Sequence, residues 1–412
     1  MANASAKSEF NQKVAPALAG ELGFTNPWKQ GKLSTHFAYF SDDERLLIVA
    51  GEEANKNASL ALAYGLTWRG ERSLELALPE GHAFATIQRA AWLNPAVRPR
   101  IHLHDGTKLT GEAEVSATAA EKALTALIPG ANPPSADLRK ASDALHLGSC
   151  SRAVAVLTEW ATNHPALDPA HRQSYRAWHH MGQSVLEIKG GKKQATIRAG
   201  INDKHGAIGS FKVTVSPATP LSSADLVTCQ QWVAKGIDAR QSTGLLCKPD
   251  EHWLQAVMRA DPRLAGLEPP ALREVPAWRP SADPTSGLNR GYVDLVGLDG
   301  AGDIRVVETK LAANDDLLLI LQGLDYYTWA RVYAQALRER LGASDKASIR
   351  LCYLIGSSPD GGLKVSPYAQ ALADAIDPSV EPLYLGITNW FSPGPGGPAP
   401  RVQVLDPTSL PT

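Results

Sequence analysis

The sequence predicts an α/β protein, because segments typical of strands alternate with segments typical of helices in two parts of the chain. In residues 45–105, three short apolar runs are separated by helix-like segments, which is the pattern of a small parallel sheet. From Lys248 onward, a helix, three strands, a long helix and a further strand follow one another. The 412 residues are 44% hydrophobic and 20% charged, as expected for a globular protein of two or three domains.

Composition and charge argue against several classes of protein. The formal net charge of −1 gives no global basic field, which argues against a nucleic-acid binder unless one basic cleft lies on a neutral body. The chain contains no run of about 18 apolar residues, so we expect neither a membrane span nor a membrane partner. The start lacks the apolar core of a signal peptide, and the four cysteines are scattered without a CxxC pair. These features predict a cytoplasmic protein with reduced thiols.

Residues 1–115 are predicted to form an α/β domain. Its strands are "RLLIVAG", "RSLELAL" and "RPRIHLH", and its helices are "NKNASLALAYGL" and "HAFATIQRAAWL". A Rossmann-like half is one interpretation, but "VAGEEANKNAS" carries a single glycine after the strand instead of GxGxxG. His102 and His104 point to the same side of the last strand. Because no third ligand is spaced to complete a metal site, we expect an exposed strand end there.

Residues 116–245 are predicted to form a helical region with added strands. The helical segments are "ATAAEKALTALI", "SADLRKASDALHL", "SRAVAVLTEWATNH" and "AHRQSYRAWHHM". The segments "SVLEIKGGKKQATIRAGIN" and "GSFKVTVS" are typical of strands, with a Gly-Gly turn inside the first. The segment "SSADLVTCQQWVAKGIDARQ" then returns to a helix.

Residues 248–392 have the clearest pattern. A helix begins near Glu251, and the strand "ALREVPAW" follows it. The strands "RGYVDLVGL" and "DIRVVETKL" are joined by "DGAG", which predicts a hairpin. A single long helix is predicted from an N-cap at Asn314 through "ALRERL", before the buried strand "SIRLCYLIG". Residues 393–412 are predicted to be an irregular tail rich in proline and glycine.

Three charged residues mark the hairpin as a candidate active site. Strand alternation puts Glu308 and Lys310 on one face, and the antiparallel partner brings Asp294 near Glu308 where the sheet twists or splays. Two neighbouring carboxylates repel each other unless a cation lies between them, and oxygen ligands suit Mg²⁺ or Mn²⁺. Lys310 could orient a water molecule, stabilise charge on a phosphate or lower the pKa of that water. This set predicts phosphodiester hydrolysis.

Asp294 followed by Glu308-Thr309-Lys310, in the order α-β-β-β-α-β, resembles the PD-(D/E)xK nuclease superfamily. The segment "RGYVDLVGLDGAGDIRVVETK" is similar to the form of this core in RecB-like and NucS-like nuclease domains. Gln322 and Tyr326, four residues apart on one helix face, resemble the QxxxY element of RecB-type members. The resemblance covers roughly residues 248–356, and its first motif is Val-Asp instead of Pro-Asp.

The resemblance implies a restriction-endonuclease-like core with a metal ion, Mg²⁺ or Mn²⁺. It implies metal binding by Asp294 and Glu308, with the Thr309 carbonyl as a further ligand. Glu251 stands on the preceding helix, where many members of the superfamily carry an extra acidic residue that also serves the metal. The ligands are oxygen atoms throughout, as this class of ion requires.

The resemblance also implies an endonuclease or exonuclease acting on DNA, with RNA as an alternative substrate. In that comparison Lys310 is catalytic, and Gln322 and Tyr326 arrange the substrate or the lysine. The N-terminal part would supply recognition, regulation or oligomerisation, including a homo-oligomer. Genome defence, such as antiviral defence, or repair would suit this architecture, by analogy of fold alone.

Each of these assignments has a plainer alternative. Asp294, Glu308 and Lys310 could form a structural ion-pair network, and the chain could be a non-cleaving module that binds nucleic acid or protein. Gln322 and Tyr326 could be a helix face that packs on the sheet, and Glu251 could be a charge favoured at the start of a helix by the helix dipole. Glu187 and Lys189 repeat the ExK spacing without a neighbouring carboxylate strand, so we interpret them as part of a surface strand. Several arginines could form a phosphate-binding rim or could be ordinary solvated residues: Arg273, Arg279, Arg290, Arg305 and Arg331.

Overall fold

Three β-sheets and ten α-helices make up the part of the chain that this computed structural model describes. The α/β class predicted from the sequence is confirmed. No helix among the described residues is long and apolar enough to cross a membrane. The structure describes residues 9–28, 37–51, 60–127, 148–169, 175–191, 193–201, 209–242, 248–280, 288–312, 317–358, 362–391 and 399–410.

The first sheet has its strands in chain order, with β2, β3 and β4 parallel and an antiparallel strand at each edge. Ile48 faces the helices that connect the parallel strands, whereas Val49 faces the N-terminal helix. Because the strand order never reverses, the sheet lacks the switch point at which Rossmann-like folds bind nucleotides. The elements are β1 Phe37–Ser41, β2 Arg45–Ala50, β3 Ser73–Pro79, β4 Arg100–His104, β5 Leu109–Glu112, α1 Ala15–Glu21, α2 Leu60–Trp68 and α3 Phe84–Ala90.

The second sheet is an antiparallel meander that packs on the long helix α6. The helix predicted in "AHRQSYRAWHHM" is wrong, since residues Tyr175–His180 form strand β7. Met181 and Gly182 both have positive φ, as a tight two-residue hairpin turn requires, and they lead directly into β8. The elements are α4 Ala117–Leu127, α5 Ala155–Asn163, β6 Asp168–Pro169, β7 Tyr175–His180, β8 Gln183–Gly190, β9 Ala195–Gly200, β10 Ser210–Val215 and α6 Ser223–Ser242.

The third sheet carries the candidate site and has six strands in chain order, of which β13, β14 and β15 are parallel. Its strands alternate between two cores: Val307 packs with α7 on one face, and Leu351 packs with α8 on the other. The elements are α7 Glu251–Ala260, β11 Glu268–Pro280, β12 Leu288–Leu298, β13 Ile304–Leu311, α8 Leu317–Val332, α9 Ala334–Leu341, β14 Ile349–Gly356, α10 Pro367–Ala375, β15 Leu383–Thr388 and β16 Arg401–Val404.

Two sequence-based expectations for this region need correction. The single long helix is two helices, because Tyr333 leaves the helical conformation with φ −110° and ψ 23°. Its ring packs at 5.7 Å from that of Trp329, which holds the break in place. Residues Arg401–Val404, within the predicted irregular tail, form β16 and pair with β15. Asn314 and the proline- and glycine-rich stretch 392–398 lie outside the described residues.

The regions of the first and third sheets share one hydrophobic core. It includes Leu76 and Ile101 from strands of the first sheet, Leu324 from α8 and Leu351 from β14 of the third sheet. A short antiparallel bridge joins Leu93 to the residue that follows α10. The helices that cover one face of the N-terminal sheet, α2 and α3, therefore pack against α10 and α8.

Candidate active site

The candidate site lies where β12 and β13 separate. Their antiparallel ladder ends at Leu295 and Val307, and the same register continued would place Asp294 opposite Glu308. Instead of a further backbone pair, Oδ2 of Asp294 accepts hydrogen bonds from the Thr309 amide at 2.8 Å and the Thr309 hydroxyl at 2.7 Å. The separation of the strands creates the space in which charged side chains converge.

Lys310 links two carboxylates at this point. Its Nζ atom donates to Oε1 of Glu251 at 2.9 Å and to Oε1 of Glu308 at 3.2 Å. Glu308 comes from the same strand face, while Glu251 comes from the first turn of α7. The side chain of Asp250 caps that turn by accepting a hydrogen bond from the Trp253 amide, which sets where the helix begins. The lysine is therefore the counter-ion of a group assembled from a strand and a helix.

Gln255 is a site residue that the sequence did not reveal. Its Nε2 atom donates to Oδ1 of Asp294 at 2.8 Å and lies 3.3 Å from the Thr309 hydroxyl. With Thr309 on its other oxygen, Asp294 is held at both ends of its carboxylate. The available signal was the spacing to Glu251, because residues four apart on a helix share a face.

Helix α8 forms the opposite wall of the site. In the amide orientation that satisfies both neighbours, Nε2 of Gln322 donates to Oε1 of Glu308 at 3.1 Å, and its oxygen accepts from Nη1 of Arg279 at 3.0 Å. Tyr326 lies over Gly291, since a Cβ atom there would be 2.6 Å from the tyrosine hydroxyl oxygen. The predicted pair Gln322 and Tyr326 thus lies beside the predicted carboxylate Glu308, and glycine is required for the close approach.

Arg279 reaches the site, whereas three of the other arginines considered as a phosphate rim are engaged elsewhere. Arg273 is paired with Asp168 at 3.0 Å, and Arg305 with Asp299 at 2.8 Å. The side chain of Arg290 lies outside the described residues. The remaining member, Arg331, is paired with an acidic residue of α4.

The site is short of positive charge. Burial raises the pKa of Asp294 to about 6, with a contribution from the charge of Glu251, against the opposing effect of Lys310. Burial and the neighbouring Asp294 raise the pKa of Glu308 well above its usual range. Burial alone would lower the pKa of Lys310, but the surrounding carboxylates raise it above the ordinary value instead. One ammonium group therefore does not balance the carboxylates around it.

Oε2 of Glu308 is the atom at which a cation would fit this site. This buried oxygen has no hydrogen-bond partner among the described residues, although buried carboxylate oxygens ordinarily have one. In an extended strand the N–H and C=O of one residue face the same edge, so the Thr309 carbonyl faces the edge at which its amide meets Asp294. Carboxylate and carbonyl oxygens on this edge are the donors that Mg²⁺ and Mn²⁺ prefer.

The donor types fit a divalent ion, but the acidic residues do not surround a single point. Among the described residues, no three His, Cys, Asp or Glu side chains form a group that could hold a metal ion. The Lys310 ammonium lies between Glu251 and Glu308, and both oxygens of Asp294 are engaged by protein groups. A metal ion would compete with these contacts. The competition is most direct at Glu251, because Lys310 donates a hydrogen bond to the oxygen that would bind the ion.

The histidines of β4 and the second ExK segment, both considered in the sequence analysis, lie away from the candidate site. The exposed strand end expected at His102 and His104 is wrong, because both side chains are buried. Nε2 of His102 lies 2.9 Å from Glu75, and Nε2 of His104 lies 2.9 Å from a backbone carbonyl. In the second ExK segment, Lys189 is half exposed and is paired with Glu187 at 3.1 Å.

Searches of protein-family models, curated proteins and solved structures give no match to this chain. The case for a function therefore depends on the geometry of the site.

Proposed function

We propose that the chain is a divalent-metal-dependent nuclease that hydrolyses phosphodiester bonds, with DNA as its substrate. The observation that carries the proposal is the convergence of Asp294, Glu308 and Lys310 where two adjacent strands separate. These residues belong to a helix, three strands, a helix pair and a parallel strand, which supports a restriction-endonuclease-like core. The buried, unsatisfied oxygen of Glu308 supports a cation at this point.

In this proposal Asp294, Glu308 and the Thr309 carbonyl would hold the metal ion, in competition with the hydrogen bonds that Asp294 accepts from Gln255 and Thr309. When bound, the ion would supply Lewis-acid stabilisation of the phosphate. Gln255 keeps Asp294 oriented, and Gln322 does the same for Glu308. The protein's own contribution is to hold the acidic oxygens close together despite their mutual repulsion. The hydrogen bonds from Gln255 and Gln322 serve this purpose.

Lys310 acts as a hydrogen-bond donor in this scheme. Because the surrounding carboxylates raise its pKa, it stays protonated at neutral pH and cannot serve as a general base. A protonated lysine stabilises negative charge on a phosphate oxygen and orients an attacking water molecule. Arg279, joined to Gln322, is the second cation beside the site and is suited to a phosphate contact.

The test is incubation of the purified full-length chain with plasmid and linear DNA in Mg²⁺, Mn²⁺ or EDTA. We expect cutting that needs the metal, and loss of cutting in Lys310→Ala. Lys189→Ala is the matched control, because Lys189 has the same ExK spacing on another strand and should leave cutting unchanged. The same substrates in RNA form show whether RNA is cut instead.

Folding must be checked, since Lys310→Ala removes the counter-ion of several carboxylates. Circular dichroism and thermal unfolding show whether the variant is folded. Glu308→Gln provides a second variant that we expect to be inactive, and it removes one negative charge from the site instead of the positive charge that balances the carboxylates. Cutting by Lys310→Ala at the wild-type rate would show that the site is assigned wrongly. DNA binding without cutting, in every metal tested, would support the non-cleaving module instead.

A further inference from the structure

A second cleft, of about 510 Å³, opens at the opposite end of the third sheet, beside the start of β14. Its walls are the end of α8, helix α9, the turn before β14 and the segment that precedes β15. We call it the basic cleft, because four cationic side chains line it against one acidic side chain, Glu381. The cationic residues are Arg331, Arg338, Lys346 and Arg350.

Two of these cations have carboxylate partners. Nε of Arg331 lies 2.6 Å from Glu121. Arg350 donates from Nε to Asp303 at 2.8 Å and from Nη1 to Glu381 at 3.2 Å. These pairs fix both side chains at the rim of the cleft and neutralise their charge.

The other two cations are not neutralised. Nε and Nη2 of Arg338 both donate to the Ala347 carbonyl, at 3.1 and 2.9 Å, which fixes the guanidinium without a carboxylate. Lys346 is exposed, and its ammonium has no hydrogen bond or ion pair with any described residue. Two cationic side chains without a carboxylate partner therefore line the same cleft, in a chain whose net charge is only −1.

The remaining lining residues suit an oxygen-rich anion. The exposed residues Ser348 and Ser379 also line the cleft, and serine hydroxyl groups can donate hydrogen bonds to phosphate oxygens. A guanidinium held in place presents its remaining N–H groups in the planar arrangement that matches phosphate oxygens. The volume lies within the usual range for pockets that bind small ligands.

We propose that the basic cleft binds a phosphate-bearing ligand of nucleotide size. The cleft is separate from the candidate active site, because Ile304 at the cleft end of β13 and Lys310 are six residue steps apart along the strand, about 20 Å. A free nucleotide and the backbone of a nucleic acid offer the same phosphate chemistry, and the experiment below distinguishes these two sources. The proposal does not depend on cutting.

The experiment is calorimetric titration of the full chain with ADP, inorganic pyrophosphate, adenosine and a single-stranded oligonucleotide, all in EDTA. We expect binding of probes that carry phosphate and none of adenosine. Lys346→Ala should weaken that binding about tenfold, the value for one charge-assisted hydrogen bond, and Lys346→Glu should weaken it further. Lys212→Ala, an exposed lysine on β10 of the second sheet, is the matched control and should bind as the wild type does.

The effects of the Lys346 variants on each probe distinguish the two sources of phosphate. Loss of ADP and pyrophosphate binding in the Lys346 variants assigns the cleft to free nucleotides, and loss of oligonucleotide binding alone assigns it to a nucleic-acid backbone. Equal affinity of wild type and both Lys346 variants for every probe would overturn the proposal, as would the absence of binding by all phosphate probes. Since EDTA suppresses metal-dependent cutting, a failed nuclease assay leaves these results interpretable.

Discussion

The charge imbalance at the candidate site predicts that removing one acid stabilises the metal-free protein. Asp294→Asn keeps the shape of the side chain and removes its charge. The wild-type carboxylate has a pKa of about 6 in place of 3.8, because burial disfavours its ionised form. The folded protein at pH 7 therefore carries a cost that the asparagine variant does not.

The size of the effect follows from two opposing contributions. The displacement of the pKa from 3.8 to about 6 corresponds to about 3 kcal/mol of folding free energy at neutral pH. Asp294 also accepts hydrogen bonds from Gln255 and from two groups of Thr309, and an asparagine can replace only part of that set. Losing one of these bonds costs about 1–2 kcal/mol. We expect a net gain of about 1–2 kcal/mol.

The pH dependence provides an independent signature. Because the folded pKa is raised, the folded state retains a proton that the unfolded state has already released. Raising the pH from about 4 to about 6 should therefore remove stability from the wild type, and this contribution should be absent in Asp294→Asn. Urea unfolding in EDTA at a series of pH values measures both quantities.

A metal ion should reverse the ranking of the two proteins. Mn²⁺ at pH 7 should raise the unfolding temperature of the wild type and have little effect on Asp294→Asn, because the ion binds the ionised acid. The variant should also be inactive. If Asp294→Asn is less stable than the wild type in EDTA at pH 7, the partly buried carboxylate is adequately compensated and the reasoning about unbalanced charge is wrong.

Two further predictions concern contacts beside the site. Arg89→Ala should destabilise the protein by about 3–5 kcal/mol in urea unfolding, because it leaves Asp325 buried without its two hydrogen bonds, and pairing it with Asp325→Asn should recover part of the loss. Recovery of none of it would show that the arginine acts through packing. Gly291→Ala should cost about 1–3 kcal/mol, since its Cβ would lie 2.6 Å from the Tyr326 hydroxyl. Tyr326→Phe in the same chain should restore part of the loss, because Nε of Arg279 would remain 3.1 Å from that Cβ. Additive effects of these two changes would refute the contact.

The local features of the third sheet could be predicted from the sequence because they depend on neighbouring residues. The hairpin follows from a turn between two apolar runs, and alternation alone places Glu308 and Lys310 on one face. The approach of Asp294 follows from antiparallel register. The contact between Lys310 and Glu251 was not predicted, because it depends on how α7 packs across the sheet.

The features that sequence reasoning missed depend on distant partners. Strand β7 has the composition of a helix but is fixed by β8, which it meets through a tight turn. The strand at Arg401–Val404 exists because β15 offers an open edge, which the local proline and glycine content does not indicate. His102 is buried because Glu75, on the adjacent strand, provides its partner. In each case tertiary contacts override the local pattern.

Helix α8 explains why the N-terminal sheet cannot be treated as a detachable domain. One face of α8 carries Gln322 and Tyr326 toward the site. Another face of the same turns carries Asp325 to Arg89 of α3 and Thr328 to Trp92, which follows α3. Asp325 is fully buried and Arg89 nearly so, so this ion pair between α8 and α3 is shielded from solvent. Removing the first sheet would expose both this charge and the apolar core that the two sheets share. The position of Gln322 and Tyr326 is therefore set from two faces of one helix, by the strands of the candidate site and by α3 of the N-terminal region.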